Sequence, residues 1–116
     1  MESSSWIDDV ILRHPVVLFT KNGCRFCDKA YEFLVENGVP SDVIHKENIQ
    51  EGCTPSEFAD KAEDLADVSN ATTFPQLFVK GVYIGGYSDL CAMETFNASK
   101  LQKIFQEVGI RIHDSF

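Results

Sequence analysis

Two cysteines two residues apart, Cys24-Arg25-Phe26-Cys27, stand where an apolar strand pattern gives way to a helical one. Upstream, Pro15-Val16-Val17-Leu18-Phe19-Thr20 reads as a buried strand. Downstream, Cys27, Ala30, Tyr31, Leu34 and Val35 fall at i, i+3, i+4, i+7 and i+8, one apolar helical stripe. Asn37-Gly38 closes that helix, with glycine just past the last turn. The helix thus covers roughly residues 24–37, and Cys24 sits at or just before its first turn. There a sulfur faces unpaired backbone N–H groups and the positive end of the helix dipole.

The rest of the chain supplies a sheet and its covering helices. Ile7, Val10 and Ile11 at helical spacing behind serines predict a short first helix. It ends near His14, because Pro15 disfavours helix at the residue before it. After the strand at 16–20 and the cysteine-bearing helix, Val39 to about Glu47 reads as a second strand. A helical crossover makes it parallel to the first. Thr54-Pro55-Ser56-Glu57 is a capping box with proline at the first helical position, and its helix runs to about Asp67. Gln76–Val79 and Val82–Ile84 flank Lys80-Gly81, a hairpin signal. Gly85-Gly86 breaks the second arm, and Ser88 is read as the cap of a helix carrying Leu90, Met93 and Phe96. A last helix starts near Ser99, shows Leu101, Ile104, Phe105 and Val108 on one stripe, and ends at Gly109. The order α-β-α-β-α-β-β-α-α predicts an α/β domain: a four-stranded mixed sheet flanked by helices on both faces.

The 116 residues are enough for one domain with a real core and too few for two, so residues 1–116 are taken as a single domain. A net charge of −8 with scattered basic residues disfavours a nucleic acid or an anionic membrane as partner. No apolar run approaches the ~20 residues that span a bilayer. The acidic start Met1–Asp9 lacks the marks of a signal or transit peptide, so a cytoplasmic location is expected. On that ground the triplets Asn70-Ala71-Thr72 and Asn97-Ala98-Ser99 are read as chance matches to a glycosylation signal.

Four cysteines suggest a disulfide scaffold or a zinc site as alternatives to redox work. Ample core and a cytosolic character argue against the scaffold. Structural zinc needs a second closely spaced Cys or His pair, whereas Cys53 and Cys91 stand alone and His14, His45 and His113 are dispersed. At the helix start, with Lys21 upstream and Arg25 adjacent, Cys24 is the expected nucleophile. Cys27, a turn further in, is expected to be buried and able to resolve a mixed disulfide on Cys24. A lowered thiol pKa also makes Cys24 a good leaving group. Cys53 and Cys91 are expected to be a loop thiol and a core thiol.

A second group of motifs lies at the hairpin. Thr72-Thr73-Phe74-Pro75-Gln76 precedes its first strand, and a cis peptide at Phe74–Pro75 is expected. That arrangement offers the Phe74 backbone to a peptide-like ligand. Gly85-Gly86-Tyr87-Ser88-Asp89 follows the hairpin, with Ser88 and Asp89 opening a helix toward a carboxylate and an amine.

With these three segments in this order, over about residues 5–109, the chain resembles the glutaredoxin family. The resemblance implies a thioredoxin-like fold with an extra N-terminal helix, and glutathione as reducing co-substrate. It implies Cys24 as nucleophile and Cys27 as resolving thiol. Lys21 would meet a glutathione carboxylate, and Phe74, followed by cis-Pro75, would pair its backbone with the glutathione cysteine. Ser88 and Asp89 would hold the γ-glutamyl end near Tyr87, and Phe26 and Tyr87 would wall the groove. Its substrates would be glutathionylated or disulfide-containing proteins.

The chain departs from the family pattern at four places. Arg25 replaces the usual proline between the cysteines, and members without that proline sometimes bind a [2Fe–2S] cluster between two subunits. An iron–sulfur carrier or sensor is therefore the alternative function, with Cys24 and glutathione as ligands and a dimer replacing the expected monomer. Phe74 stands where valine is usual. Thr72 stands where a basic residue is frequent, leaving Lys61 as a candidate second partner for the glycine carboxylate. The Glu47–Pro55 segment is longer than usual, and no role follows from its sequence.

Overall fold

The structure is a computed structural model that describes residues 5–106. In chain order it contains α1 (Ser5–Arg13), β1 (Val16–Thr20), α2 (Arg25–Glu36), β2 (Ile44–Asn48), α3 (Pro55–Ser69), β3 (Gln76–Val79), β4 (Val82–Gly85), α4 (Tyr87–Phe96) and α5 (Ala98–Gln106). The strands form one sheet in the order β2-β1-β3-β4. β1 runs parallel to β2, in register Val16 with Ile44, and antiparallel to β3, with Phe19 opposite Gln76. Lys80 and Gly81 turn the β3–β4 hairpin with φ of 53° and 79°. Positive φ at both positions matches the twist of the strands they join.

Alternation along β1 divides the core into two layers. Val16 and Leu18 face Ala30, Phe33 and Leu34 of α2, Leu90 of α4, and Leu101 and Phe105 of α5. Val17 and Phe19 face Ile7 and Ile11 of α1 and Leu65 of α3. Both faces of the sheet are thus covered, as the order of elements requires. The Phe19 ring meets Phe78 edge-on at 5.4 Å and Trp6 at 6.2 Å.

Four local expectations are corrected. The second strand begins at Ile44 rather than Val39. Pro40, with φ −60°, precedes a short 3₁₀ turn over Ser41–Val43, closed by Val43 N–H donating to the Pro40 carbonyl at 3.0 Å. Val39 is buried, but its N–H donates to the Leu34 carbonyl as part of the helix ending. On α2, Phe33 is buried while Val35 is 40% exposed. Each helical residue turns about 100°, so Val35 leaves the face that Ala30 and Leu34 share. Phe96, placed on the stripe of α4, is 85% exposed. The cap of α4 is Gly86 rather than Ser88, which lies inside the helix. Val108, Gly109 and the remaining tail fall outside the described residues.

Candidate functional site

α2 begins where β1 ends, and the cysteines occupy the join. Cys24 is the N-cap, with φ −96° and ψ 101°, and its Sγ accepts the Cys27 N–H at 3.2 Å. Sulfur here does the work that a Ser or Asp oxygen usually does at this position, satisfying one of the orphan donors of the first turn. The Asp28 N–H reaches the Cys24 carbonyl at 3.3 Å. The two cysteines are joined as a disulfide, with Cα atoms 5.2 Å apart. Cys24 is half-buried and Cys27 is 4% exposed. The sulfur expected to attack is therefore the accessible one.

Phe26, Phe74, Pro75, Tyr87, Ser88 and Asp89 converge on one cleft of about 290 Å³. Three separate segments build it. Phe26 stands out from the first turn of α2, 55% exposed, and stacks on Tyr87 at 6.0 Å with the planes 27° apart. The Phe74–Pro75 peptide is cis and leads directly into β3. The loop before it is fixed by Gln76, a buried residue whose Nε2 donates to the Ala71 and Thr73 carbonyls at 3.1 and 3.0 Å. Ser88 and Asp89 come from the first turn of α4, where Asp89 Oδ2 accepts the Gly86 N–H at 2.8 Å. Glycine is required beside it: Gly85 has φ +144°, and a Cβ there would lie 2.6 Å from that of Asp89.

Lys21, the remaining predicted ligand residue, holds its ammonium 5.8 Å from the centre of the Phe74 ring. It also lines a second, polar cleft of about 490 Å³ with Cys24, Cys27, Lys46, Asn48 and Glu51. The Phe74 side chain thus lies beneath the Lys21 ammonium. Lys61 places its ammonium 5.5 Å from the Trp6 ring centre, on the α1 side of α3.

Thr73, Tyr83 and Gly86 also line the first cleft and were not among the sequence candidates. Strand alternation puts Tyr83 on a defined face of β4, but the direction of that face depends on how the hairpin packs. Burial first, and the Asp89 charge second, push the Tyr83 phenol above its ordinary value. The Tyr87 phenol is also raised, chiefly by the neighbouring Cys91 thiol. Cys53 and Cys91 are free and half-buried, the former donating weakly to the Ile49 carbonyl at 3.5 Å. Cys91 therefore does not sit in the core as expected.

Among the described residues no group of three or more His, Cys, Asp or Glu side chains is placed to hold a metal ion. At the start of α2, Cys24 is the more accessible of the paired thiols, and a cluster held there would need further ligands beyond this pair. No described helix is long and apolar enough to cross a membrane.

Comparison with known proteins agrees with this architecture. The sequence model of the family described as Glutaredoxin matches residues 16–84. Glutaredoxin-C1 of Arabidopsis thaliana is 28% identical over 101 residues, covering 87% of this chain and 74% of its own length. Glutaredoxin-1 of Rhizophagus irregularis is 29% identical over 86 residues, covering 74% and 79%. Among solved structures, a buckwheat glutaredoxin–glutathione complex superposes with a TM-score of 0.75 at 20% identity, covering 92% of this chain and 90% of its own. Such a likeness carries the thioredoxin-like fold. The family match and the paired cysteines support thiol–disulfide oxidoreductase activity. With a family match spanning more than half its length, this chain belongs to the glutaredoxin family.

Proposed function

We propose that the protein is a glutathione-dependent oxidoreductase that reduces protein–glutathione mixed disulfides and protein disulfides. One observation carries this reading: an accessible sulfur caps a helix beside a cleft formed by Phe74-Pro75 and the Tyr87-Ser88-Asp89 helix start. The N-terminal N–H groups favour the Cys24 thiolate. Glutathione would lie with a carboxylate toward Lys21, its cysteine along the Phe74 backbone and its γ-glutamyl end at Ser88 and Asp89, beside the stacked Phe26 and Tyr87 rings.

The Cys24 thiolate attacks the glutathione sulfur of the mixed disulfide. A bond forms between these two sulfurs, and the bond to the protein substrate breaks. The electron pair leaves on the substrate thiolate, which takes a proton from water. A second glutathione, as thiolate, then attacks the glutathionyl sulfur on Cys24. Glutathione disulfide forms and the Cys24 thiolate is released. With a protein disulfide as substrate, Cys27 instead attacks Cys24 in the intermediate, freeing the substrate and giving the Cys24–Cys27 disulfide. Two glutathiones reduce that disulfide.

Turnover of a glutathionylated peptide by Cys24→Ser and Cys27→Ser variants tests this. The first should be inactive. The second should remain active on that peptide while losing activity on protein disulfides. Retained turnover in Cys24→Ser overturns the assignment.

Arg25 in place of the usual proline supports the second reading, a protein that carries or senses a [2Fe–2S] cluster. Anaerobic reconstitution, followed by visible absorption and a mass measurement, separates the two. A coloured dimer with negligible turnover favours the cluster, and a colourless active monomer favours the oxidoreductase.

A further inference from the structure

The loop that delivers Cys24 is held from outside by hydrogen bonds. The Asn22 N–H donates to Gln50 Oε1 at 3.0 Å, and Asn48 Nδ2 donates to Asn22 Oδ1 at 2.9 Å. Asn48 Oδ1 in turn accepts the Gln50 and Glu51 N–H groups at 2.9 and 3.0 Å. Beneath them the Ile49 N–H donates to the Thr20 carbonyl at 3.0 Å, extending the β1–β2 pairing one step past the strands. One side chain, Asn48, thus uses both ends of its amide to tie the segment after β2 to the turn after β1.

That turn has little else to fix it. Gly23 takes a left-handed φ of +62°, and a Cβ there would point into open space, with nothing within 4 Å. Arg25 follows at the first helical position and lacks the fixed φ of a proline. Lys21, Asn22 and Gly23 are all exposed. The position of the Cys24 sulfur over the helix start depends on this turn, and the dipole effect falls off within one turn of helix.

We propose that Asn48 and Gln50 are positioning residues for the Cys24 thiolate. They clamp the Lys21–Gly23 turn so that Sγ stays on the Cys27 N–H. The inference rests on Cys24 being the nucleophile and gives the Glu47–Pro55 segment a role. The clamp acts through geometry and adds no charge, so its loss shows in thiolate formation before it shows in folding.

The experiment uses Asn48→Ala, Gln50→Ala and the double variant, each also combined with Cys27→Ser. Alkylation rates followed across pH give the Cys24 pKa. Turnover of a glutathionylated peptide gives kcat and KM, and circular dichroism with thermal melting reports the fold. The clamp predicts a Cys24 pKa raised by about half a unit or more in each single variant, and a kcat/KM loss near pH 7 of about three- to tenfold. Because the residues share one network, the double variant should lose about as much as a single one. An unchanged alkylation profile in folded variants overturns the proposal. So does a fall in kcat/KM that comes entirely from melting. Should the double variant fail to fold, Gln50→Ala decides alone, since it removes a single acceptor from an exposed N–H. Inactivity of the unsubstituted protein on the peptide would instead overturn the proposed function, leaving the two failures distinguishable.

Discussion

Cys24 shows how one residue can serve structure and chemistry at once. Its sulfur caps α2 and is the exposed member of the pair, and both follow from its place one residue before the helix. At the other side of the cleft, Gly85 is constrained by its neighbour. Gly85→Ala would drive a Cβ into Asp89 at a φ that L-residues avoid. We expect a stability loss of about 1–3 kcal/mol in chemical denaturation and a raised KM for glutathione, because Asp89 must move. Tyr83 gives a pH signature. Its folded pKa lies above the ordinary 10.0, so it favours the folded state below pH 10 and that contribution disappears as pH rises through the folded value. Tyr83→Phe should therefore flatten the fall in unfolding free energy measured as pH rises above 10.0.

At the scale of elements, hydrogen-bonded ends decide where the helices start. α3 has a reciprocal box: the Glu57 N–H donates to Thr54 Oγ1 at 3.1 Å, and the Thr54 N–H donates to Glu57 Oε1 at 2.9 Å. Thr54→Ala should cost about 1 kcal/mol, read as a lower melting temperature, with peptide turnover unchanged. α4 achieves half of this with a glycine cap, which has no side chain to offer, while Asp89 supplies the returning acceptor. That is why Ser88 is a misleading signal: a Ser-Asp pair looks like a cap followed by its first turn, yet the helix has already begun at Tyr87. β2 illustrates the opposite limit. Apolar residues from Val39 onward fit a strand, but Pro40 supplies no N–H for a ladder, and pairing waits until Ile44.

At the scale of the molecule, one sheet joins two cores, and β1 contributes to both. Phe19 is fully buried and packs its ring against Phe78 and Trp6. Phe19→Ala should cost about 3–5 kcal/mol, a large part of the ~5–15 kcal/mol that keeps a domain folded. Urea unfolding would show a lower midpoint, and a single transition would show that both layers melt together. The same sheet brings the site together: β1 leads to the cysteines, β3 follows Pro75, and β4 ends at Gly85, next to the Gly86 cap of α4.

Local pattern settled the number, type and order of the elements, the capping box of α3, the hairpin turn and the cysteine pair at a helix start. Each of these depends on residues within a few positions of one another, so short-range sterics and periodicity suffice. The cleft residues were also nameable, because their segments resemble a family whose motifs recur in fixed order. What only the folded chain decided are the contacts between distant segments: Asn22 with Asn48 and Gln50, Lys21 over Phe74, Tyr83 beside Asp89, and Phe96 left in solvent. Those depend on how strand ends and helix faces meet in space, and packing geometry of that kind leaves no periodic trace along the chain.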